Sequence, residues 1–233
     1  RDFCLSRGLG DVYKRQEYIH WDEKRKAYQN QTGDIRRGVG MALFSYKTGV
    51  WPISLEIAGA RLSLNQDGSV QLQVGATEIG QGADTVFSQM AAETLHMDIS
   101  RVHIVTQQDT DVTPFDTGAY ASRQSFVTGT AVKECAQQLK QKILEYARTL
   151  VPGNVDRLEL EDGYILADGK PAISLEDLAM ESYYSLSNSS VLTAEVSRQV
   201  KKNTVASGCC FAEVEVDMKL GKIKVLDIVN VHD

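Results

Sequence analysis

The spacing of apolar residues changes abruptly on either side of one glycine-rich stretch, V-G-A-T-E-I-G-Q-G at residues 74–82. Before it, residues 61–74 alternate apolar and polar around a Gln-Asp-Gly turn, which predicts a β-hairpin. From Ala83 onward, apolar residues recur at three- and four-residue steps, which indicates a helix. Glycines at such a junction let a ligand approach the main chain, and free N–H groups at a helix start favour an anion. A tight turn without a ligand is the simpler alternative.

A second stretch, D-T-D-V-T-P-F-D-T-G-A-Y-A-S-R-Q-S-F-V-T-G at residues 109–129, is rich in small and hydroxylated residues. It follows a short predicted strand at residues 102–106 and precedes a long predicted helix. Such a composition suits a loop that surrounds a polar ligand with main-chain N–H and hydroxyl groups. A solvated loop that ends in a helix cap is the alternative.

The rest of the chain alternates predicted strand pairs with helices. This order predicts a mixed α/β fold, in which mixed β-sheets carry packed helices. The predicted helices cover residues 22–28, 132–150 and 174–180, and Ser174 is the expected N-cap of the last, with Asp177 three residues on. The predicted strands include an apolar run at 41–46 that continues through Trp51, Ile53 and Leu55, strands within 157–173 that are joined by turns at Asp162-Gly163 and Asp168-Gly169, and long strands at 206–217 and 222–233.

Composition and charge exclude several classes of protein. The 233 residues carry a formal charge of −6, which argues against a nucleic-acid surface. No apolar run is long enough to cross a bilayer, and no segment has the pattern of a signal peptide, so we expect a cytoplasmic protein with no membrane partner. The four cysteines form no C-x-x-C pair and the four histidines have no ligand spacing, so no metal ligand is predicted in the chain. Cys135 is expected to be a core thiol.

The two stretches together resemble the molybdenum-binding subunit or domain of the xanthine dehydrogenase and aldehyde oxidase family of molybdenum hydroxylases. The resemblance covers roughly residues 37–233. Its motifs are D-G-S-V at 67–70, G-A-T-E-I-G-Q-G at 75–82, Q-M-A-A-E-T-L at 89–95, D-T at 109–110, G-A-Y-A-S-R at 118–123, G-T-A-V at 129–132 and V-N-V-H-D at 229–233. In the family the G-T-A-V run opens a helix, so the resemblance implies that the long helix begins at residues 129–132.

The resemblance implies a molybdenum–molybdopterin cofactor, in its mononucleotide form or as the cytosine dinucleotide. In this family the dithiolene of the pterin holds the metal, so metal ligands from the protein are not expected. Iron–sulfur clusters and FAD are expected only on other subunits or domains. The implied cofactor-binding residues are Gly80, Gln81 and Gly82 in the first loop and Ala121, Ser122, Arg123 and Gln124 in the second. The family varies after the Ala-Ser pair, so the resemblance says less about the last two.

Two geometric expectations follow from one shared cofactor. The two loops should face the same space, and the Gln81 side chain should point toward the ligand rather than into the core. Glu78 belongs by position to the first loop and not to the proton-abstracting site of the family.

The resemblance also implies an activity for the complete enzyme, which is hydroxylation of purines or aldehydes with oxygen from water. No catalytic residue is assigned within the chain, because the family's general-base glutamate follows a loop beyond the V-N-V-H-D run. We therefore expect an internal fragment: an extraneous or disordered tail at residues 1–16, a polar lead-in at 17–37 and a molybdopterin-binding domain at 38–233, incomplete at both ends. Expected partners are the rest of the subunit and a small-molecule substrate. A stand-alone binding or structural module is the alternative.

Overall fold

The computed structural model describes residues 14–232. These form two compact units, one made of residues up to Thr48 together with those from Thr204 on, and the other of residues Gly49–Asn203. Most of the tail predicted to be extraneous, and Cys4 within it, lie outside the described residues.

The elements follow the predicted alternation of strands and helices. In chain order they are α1 (Trp21–Ala27), β1 (Ile35–Thr48), β2 (Ile57–Leu64), β3 (Val70–Val74), α2 (Ala83–Leu95), a 3-10 turn (Ile99–Arg101), β4 (Val102–Ile104), α3 (Gln124–Leu150), β5 (Leu158–Glu161), β6 (Tyr164–Ala167), β7 (Lys170–Ser174), α4 (Leu175–Tyr184), β8 (Thr193–Gln199), β9 (Thr204–Asp217) and β10 (Lys222–His232). The mixed α/β prediction is confirmed.

A four-stranded sheet of order β4-β3-β2-β8 organises the Gly49–Asn203 unit. The predicted hairpin of β2 and β3 lies in its middle, and β4 pairs with β3 in parallel. Strand β2 is almost entirely buried, because α3 packs across it and across β8. The core residues shared by this sheet and the helices include Leu62, Leu72, Phe87, Leu139 and Ile143. Strands β5, β6 and β7 form a separate antiparallel sheet.

The other unit is an antiparallel sheet of order β1-β9-β10. Helix α1 packs on it, with the Trp21 ring edge-on to Phe211 at 5.6 Å between centroids. The α1 residue Lys24 donates to Glu213 Oε2 at 2.6 Å, and Tyr28 donates to Oε1 of the same residue at 2.6 Å. The predicted boundary between residues 37 and 38 falls inside β1, which runs without a break.

One predicted strand segment is wrong, and one predicted helix begins earlier than expected. The strand-like alternation at residues 51–55 is a turn, because Pro52 has no N–H to donate to a ladder and the Val50 N–H is taken by Glu56 Oε1 at 2.5 Å. Helix α3 begins at Gln124, earlier than the predicted opening at residues 129–132. Gly129 lies in its second turn, where an added Cβ would stand only 2.6 Å from Met90 Sδ, so this glycine serves close packing of α2 on α3.

In the part of the chain that the structure describes, no helix combines the length and the apolar character that a membrane span requires.

Candidate functional site

The first loop connects the end of β3 to the start of α2, as the change of period predicts. Gly80 and Gly82 have φ angles of 96° and 83°, in the left-handed region that glycine adopts most easily. A Cβ added to either glycine would meet no atom within 4 Å. The glycines are therefore not required for packing, and the outer face of the loop is open to an approaching ligand.

The Glu78 carboxylate stabilises this loop by accepting hydrogen bonds from its main chain. Its Oε1 accepts from the N–H of Gly80 at 2.7 Å and from that of Gly82 at 3.1 Å, and its Oε2 accepts from the N–H of Asp84 at 3.1 Å. Hydrogen bonds from Asp84, Gly82 and Gly80, in that order of size, lower the pKa of Glu78 below its ordinary value. A carboxylate of the protein itself thus occupies the glycine N–H groups at the start of α2.

The second loop crosses the ends of β2 and β3. The N–H of Gly59 donates to the carbonyl oxygen of Phe115 at 2.8 Å, and Ala58 forms an isolated antiparallel bridge with Asp116. At Gly75 an added Cβ would overlap the carbonyl oxygen of Pro114 and would lie 2.7 Å from the N and 2.8 Å from the Cβ of Asp116. The first glycine of the G-A-T-E motif is therefore the place where the second loop passes over the first.

The second loop turns sharply before it enters α3. Ala121 and Ser122 have φ angles of 49° and 50°, an unusual conformation for two consecutive residues that are not glycine. The carbonyl oxygen of Ala121 accepts from the N–H of Gly49 at 2.8 Å. This turn leaves the Ser122 side chain exposed, while Gln124 in the first turn of α3 is 8% exposed.

The two loops meet through a pair of amide side chains. Gln81 Nε2 donates to Gln124 Oε1 across 43 residues of sequence. Both Nε2 atoms also donate to the carbonyl oxygen of Thr77, each at 3.1 Å. Gln81 Oε1 in turn accepts from the N–H of Ile79 at 2.6 Å. The structure thus brings Gly80, Gln81, Gly82 and Gln124 into one cluster, and Gln81 remains exposed at its surface.

Arg123 is placed differently from its neighbours, because its side chain points inward and is completely buried. Its Nε donates to Glu56 Oε2 at 2.6 Å and its Nη1 to Asp116 Oδ1 at 2.5 Å. Burial lowers the pKa of Arg123, but the hydrogen bond to Glu56 and the charge of Asp116 outweigh that effect and leave the pKa above its ordinary value. The guanidinium is therefore a permanent cation between two carboxylates.

Sequence reasoning missed four contributors to this arrangement, namely Glu56, Thr77, Glu78 in its capping role, and Asp116. A carboxylate just before a glycine-rich helix start is a recognisable capping signal, and it could have identified Glu78. Glu56 has no such signal, because it meets Arg123 only through the fold, 67 residues away.

The donor and acceptor chemistry of the two loops fits a pterin. A pterin ring presents alternating N–H donors and nitrogen or oxygen acceptors, and primary amides can both donate and accept. Among residues 14–232, no group of three or more His, Cys, Asp or Glu side chains is arranged to hold a metal ion.

Comparison with known proteins gives the same assignment. The model of the molybdopterin cofactor-binding domain family matches residues 14–233. The xanthine dehydrogenase molybdenum-binding subunit of Escherichia coli O157:H7 is 46% identical over 233 residues, which cover 99% of this chain and 30% of that protein. The probable hypoxanthine oxidase XdhD of Escherichia coli K12 is 31% identical over 209 residues, which cover 90% of this chain and 21% of that protein.

The fold agrees with solved structures as well. Quinoline 2-oxidoreductase from Pseudomonas putida 86 superposes with a TM-score of 0.80 at 21% identity, over 97% of this chain and 30% of that one. The chain spans less than a third of the relatives it matches. These matches favour the cofactor-binding prediction over a stand-alone structural module. The chain therefore belongs to the molybdopterin cofactor-binding domain family.

Proposed function

We propose that this chain holds molybdopterin between its two loops in a molybdenum hydroxylase that acts on a purine or an aldehyde. The proposed contacts are Gly80, Gln81 and Gly82 on one side and Ala121, Ser122 and Gln124 on the other, with Arg123 supporting the second loop. The observation that carries the proposal is the hydrogen bond between Gln81 and Gln124, which joins the two motifs. When bound, the cofactor supplies the transfer of an oxygen atom from water to a substrate carbon and accepts the electrons.

The paired amides keep hydrogen-bonding capacity for a ligand. The two N–H bonds of Gln81 Nε2 are used by Thr77 and Gln124, while its Oε1 has accepted one bond and can accept a second. Gln124 retains one N–H donor and one acceptor site. This remaining set, two acceptors and one donor, can recognise an edge of a pterin ring and fix its orientation.

The sequence predicts that the glycine N–H groups bind an anion of the ligand, but in the structure they have a different role. Glu78 already accepts from Gly80 and Gly82, so an incoming phosphate would have to compete with a carboxylate. The main contribution of the glycines is therefore an open main-chain surface over which the ligand can lie close, as their empty Cβ positions indicate.

The complete enzyme requires parts that this chain does not supply. We propose that the remainder of the molybdenum subunit encloses the cofactor and provides the catalytic base, and that iron–sulfur and FAD subunits or domains carry the electrons away. A cytoplasmic location is supported by the free cysteines at positions 135, 209 and 210.

The replacement Gln81→Ala in the complete subunit tests this function. It should lower cofactor occupancy and turnover, because a buried ligand group left unpaired costs on the order of 1–3 kcal/mol. Molybdenum content per protein, activity and melting temperature are measured together. Gln89→Ala, at an exposed glutamine on α2, the helix that follows the loop, is the matched control. If Gln81→Ala keeps wild-type occupancy and turnover while the melting temperature drops, Gln81 is only a packing residue.

A further inference from the structure

Arg123 lies between two residues that we assign to the cofactor, yet its side chain turns away from both loops' open surface. We propose that Arg123 is a positioning residue that does not contact the cofactor. In this role it is fixed by Glu56 and Asp116, and it holds the turn at Ala121 and Ser122 in its ligand-binding shape. The inference rests on the proposed function, because it assigns a role within that site.

Most N–H donors of the Arg123 guanidinium already bind acceptors within the protein. Four of its five N–H donors are used: Nε to Glu56, Nη1 to Asp116 and to the carbonyl oxygen of Gly118 at 3.0 Å, and Nη2 to the carbonyl oxygen of Ile57 at 2.7 Å. These acceptors come from two separate places in the chain, the approach to β2 and the second loop. Arg123 therefore ties the second loop to the central sheet.

The acceptors are themselves fixed by further contacts. Glu56 Oε1 accepts from the N–H of Val50 at 2.5 Å. Asp116 Oδ1 accepts from the N–H of Gly118 at 2.8 Å, and its Oδ2 accepts from Thr128 Oγ1 at 2.7 Å. Thr128 belongs to α3, so the network also reaches the helix that carries Gln124. Every carboxylate oxygen of Glu56 and Asp116 therefore has a hydrogen-bond partner within the protein.

The adjoining turn needs such support. Two consecutive non-glycine residues at positive φ persist only where the surrounding structure over-determines them. Arg123 follows this pair directly, and its anchoring fixes the exit of the turn, while the hydrogen bond from Gly49 fixes Ala121 at its start. Direct contact with a cofactor would require the guanidinium to leave two buried carboxylates, which would then be uncompensated.

The test compares Glu56→Gln with Arg123→Lys in the complete subunit. Glu56 lies in neither loop and its side chain is 1% exposed, so it acts on the second loop from within the protein, through its bonds to Arg123 and to the N–H of Val50. We expect both variants to bind molybdopterin about ten-fold more weakly, as supporting contacts do in metal sites. Molybdenum and pterin content report occupancy, and the Mo(V) electron paramagnetic resonance spectrum of the loaded fraction should match that of the wild type.

A control and a milder variant complete the design. Arg157→Lys alters an exposed Arg–Glu pair away from both loops, with Glu159 as its partner at 2.6 Å, and should leave occupancy unchanged. Thr128→Val removes only the hydrogen bond to Asp116, and it carries the test if the other variants fail to fold. It should lower occupancy in the same direction.

Two results would overturn the inference. Full occupancy in Glu56→Gln together with loss or an altered spectrum in Arg123→Lys would make Arg123 a direct ligand. Full occupancy in all three variants, with lower melting temperatures, would limit the network to stability. A wild-type subunit that contains no molybdopterin would instead refute the proposed function, so the two failures are distinguishable.

Discussion

Nε of Arg123 lies 2.6 Å from Oε2 of Glu56, and the two side chains are 0% and 1% exposed. Asp116 approaches the same guanidinium at 2.5 Å and is also completely buried. One cation therefore faces two anions away from water, and the arrangement is held by hydrogen bonds to both carboxylates. Removing the cation would leave like charges close together in a medium of low polarity.

Arg123→Met should therefore destabilise the fold severely. Breaking a buried ion pair by removing one partner costs about 3–5 kcal/mol, whereas an exposed pair contributes roughly 0–1 kcal/mol. Arg157→Met, at the exposed pair with Glu159, is the matched control. Urea denaturation of both variants measures the free energy of unfolding. Equal losses in the two variants would contradict a stabilising role for the buried cluster.

Gly75→Ala should destabilise the protein because its new methyl group would collide with main-chain atoms of the crossing loop, including the N of Asp116 at 2.7 Å. Overpacking of this kind costs about 1–3 kcal/mol. Gly40→Ala is the control, since a Cβ on that strand residue meets nothing within 4 Å. Thermal melting should give a lower melting temperature for Gly75→Ala than for Gly40→Ala. Equal melting temperatures would show that the second loop can move away from position 75 without a loss of stability.

The contribution of Glu78 to stability should depend on pH. Its folded-state pKa is lowered by the N–H groups of Asp84, Gly82 and Gly80, so the ionised form stabilises the loop above the ordinary pKa of 4.5. That stabilisation is lost as the pH falls through the lowered folded-state value.

Comparison of wild type with Glu78→Gln, by melting between about pH 3 and pH 7, checks this prediction. The difference in melting temperature should be constant near neutral pH and vanish at the acid end. Glu93→Gln, at an exposed position of α2, the helix that follows the loop, is the control and should show no such trend. Neighbouring Asp84, whose pKa is raised by burial and by the charge of Glu78, should titrate nearer its ordinary value in Glu78→Gln.

Cys135 should be inert toward thiol reagents in the folded protein. Burial raises the pKa of its thiol to about 11, and its Sγ lies 3.2 Å from the carbonyl oxygen of Ala194. Because the thiolate is the reactive form, a disulfide reagent at about pH 8 should label the partly exposed Cys210 before the buried Cys135. Mass spectrometry of the labelled peptides locates the product. Rapid labelling of Cys135 without denaturant would refute its place in the core.

Elements with strong local signals could be predicted from the sequence. The turns at Asp162-Gly163 and Asp168-Gly169 occur as expected, with positive φ at all four residues, because these residue types tolerate that conformation. Ser174 caps α4 by accepting from the N–H of Asp177 at 3.0 Å, as its spacing indicates. Each of these features depends on a few neighbouring residues only.

Features that depend on distant partners could not be predicted. The inward direction of Arg123 requires Glu56 and Ile57, which no local pattern connects to it. The early start of α3 could not be predicted because Gly129 resembles a helix boundary. The glycine is there because Met90 packs closely against that position of α3. The resemblance located both loops, but it did not reveal that Glu78 already occupies the glycine N–H groups of the first.

The crossing of the second loop over Gly75 also constrains how this sequence can vary. Because Pro114 and Asp116 leave no room for a Cβ there, a larger residue at position 75 is tolerable only if the crossing segment shifts or lengthens. Substitutions at position 75 and length changes in residues 112–118 should therefore covary among homologues. The two motifs would then be inherited as a single unit, and a graft of one loop without the other into a related scaffold should fail to fold.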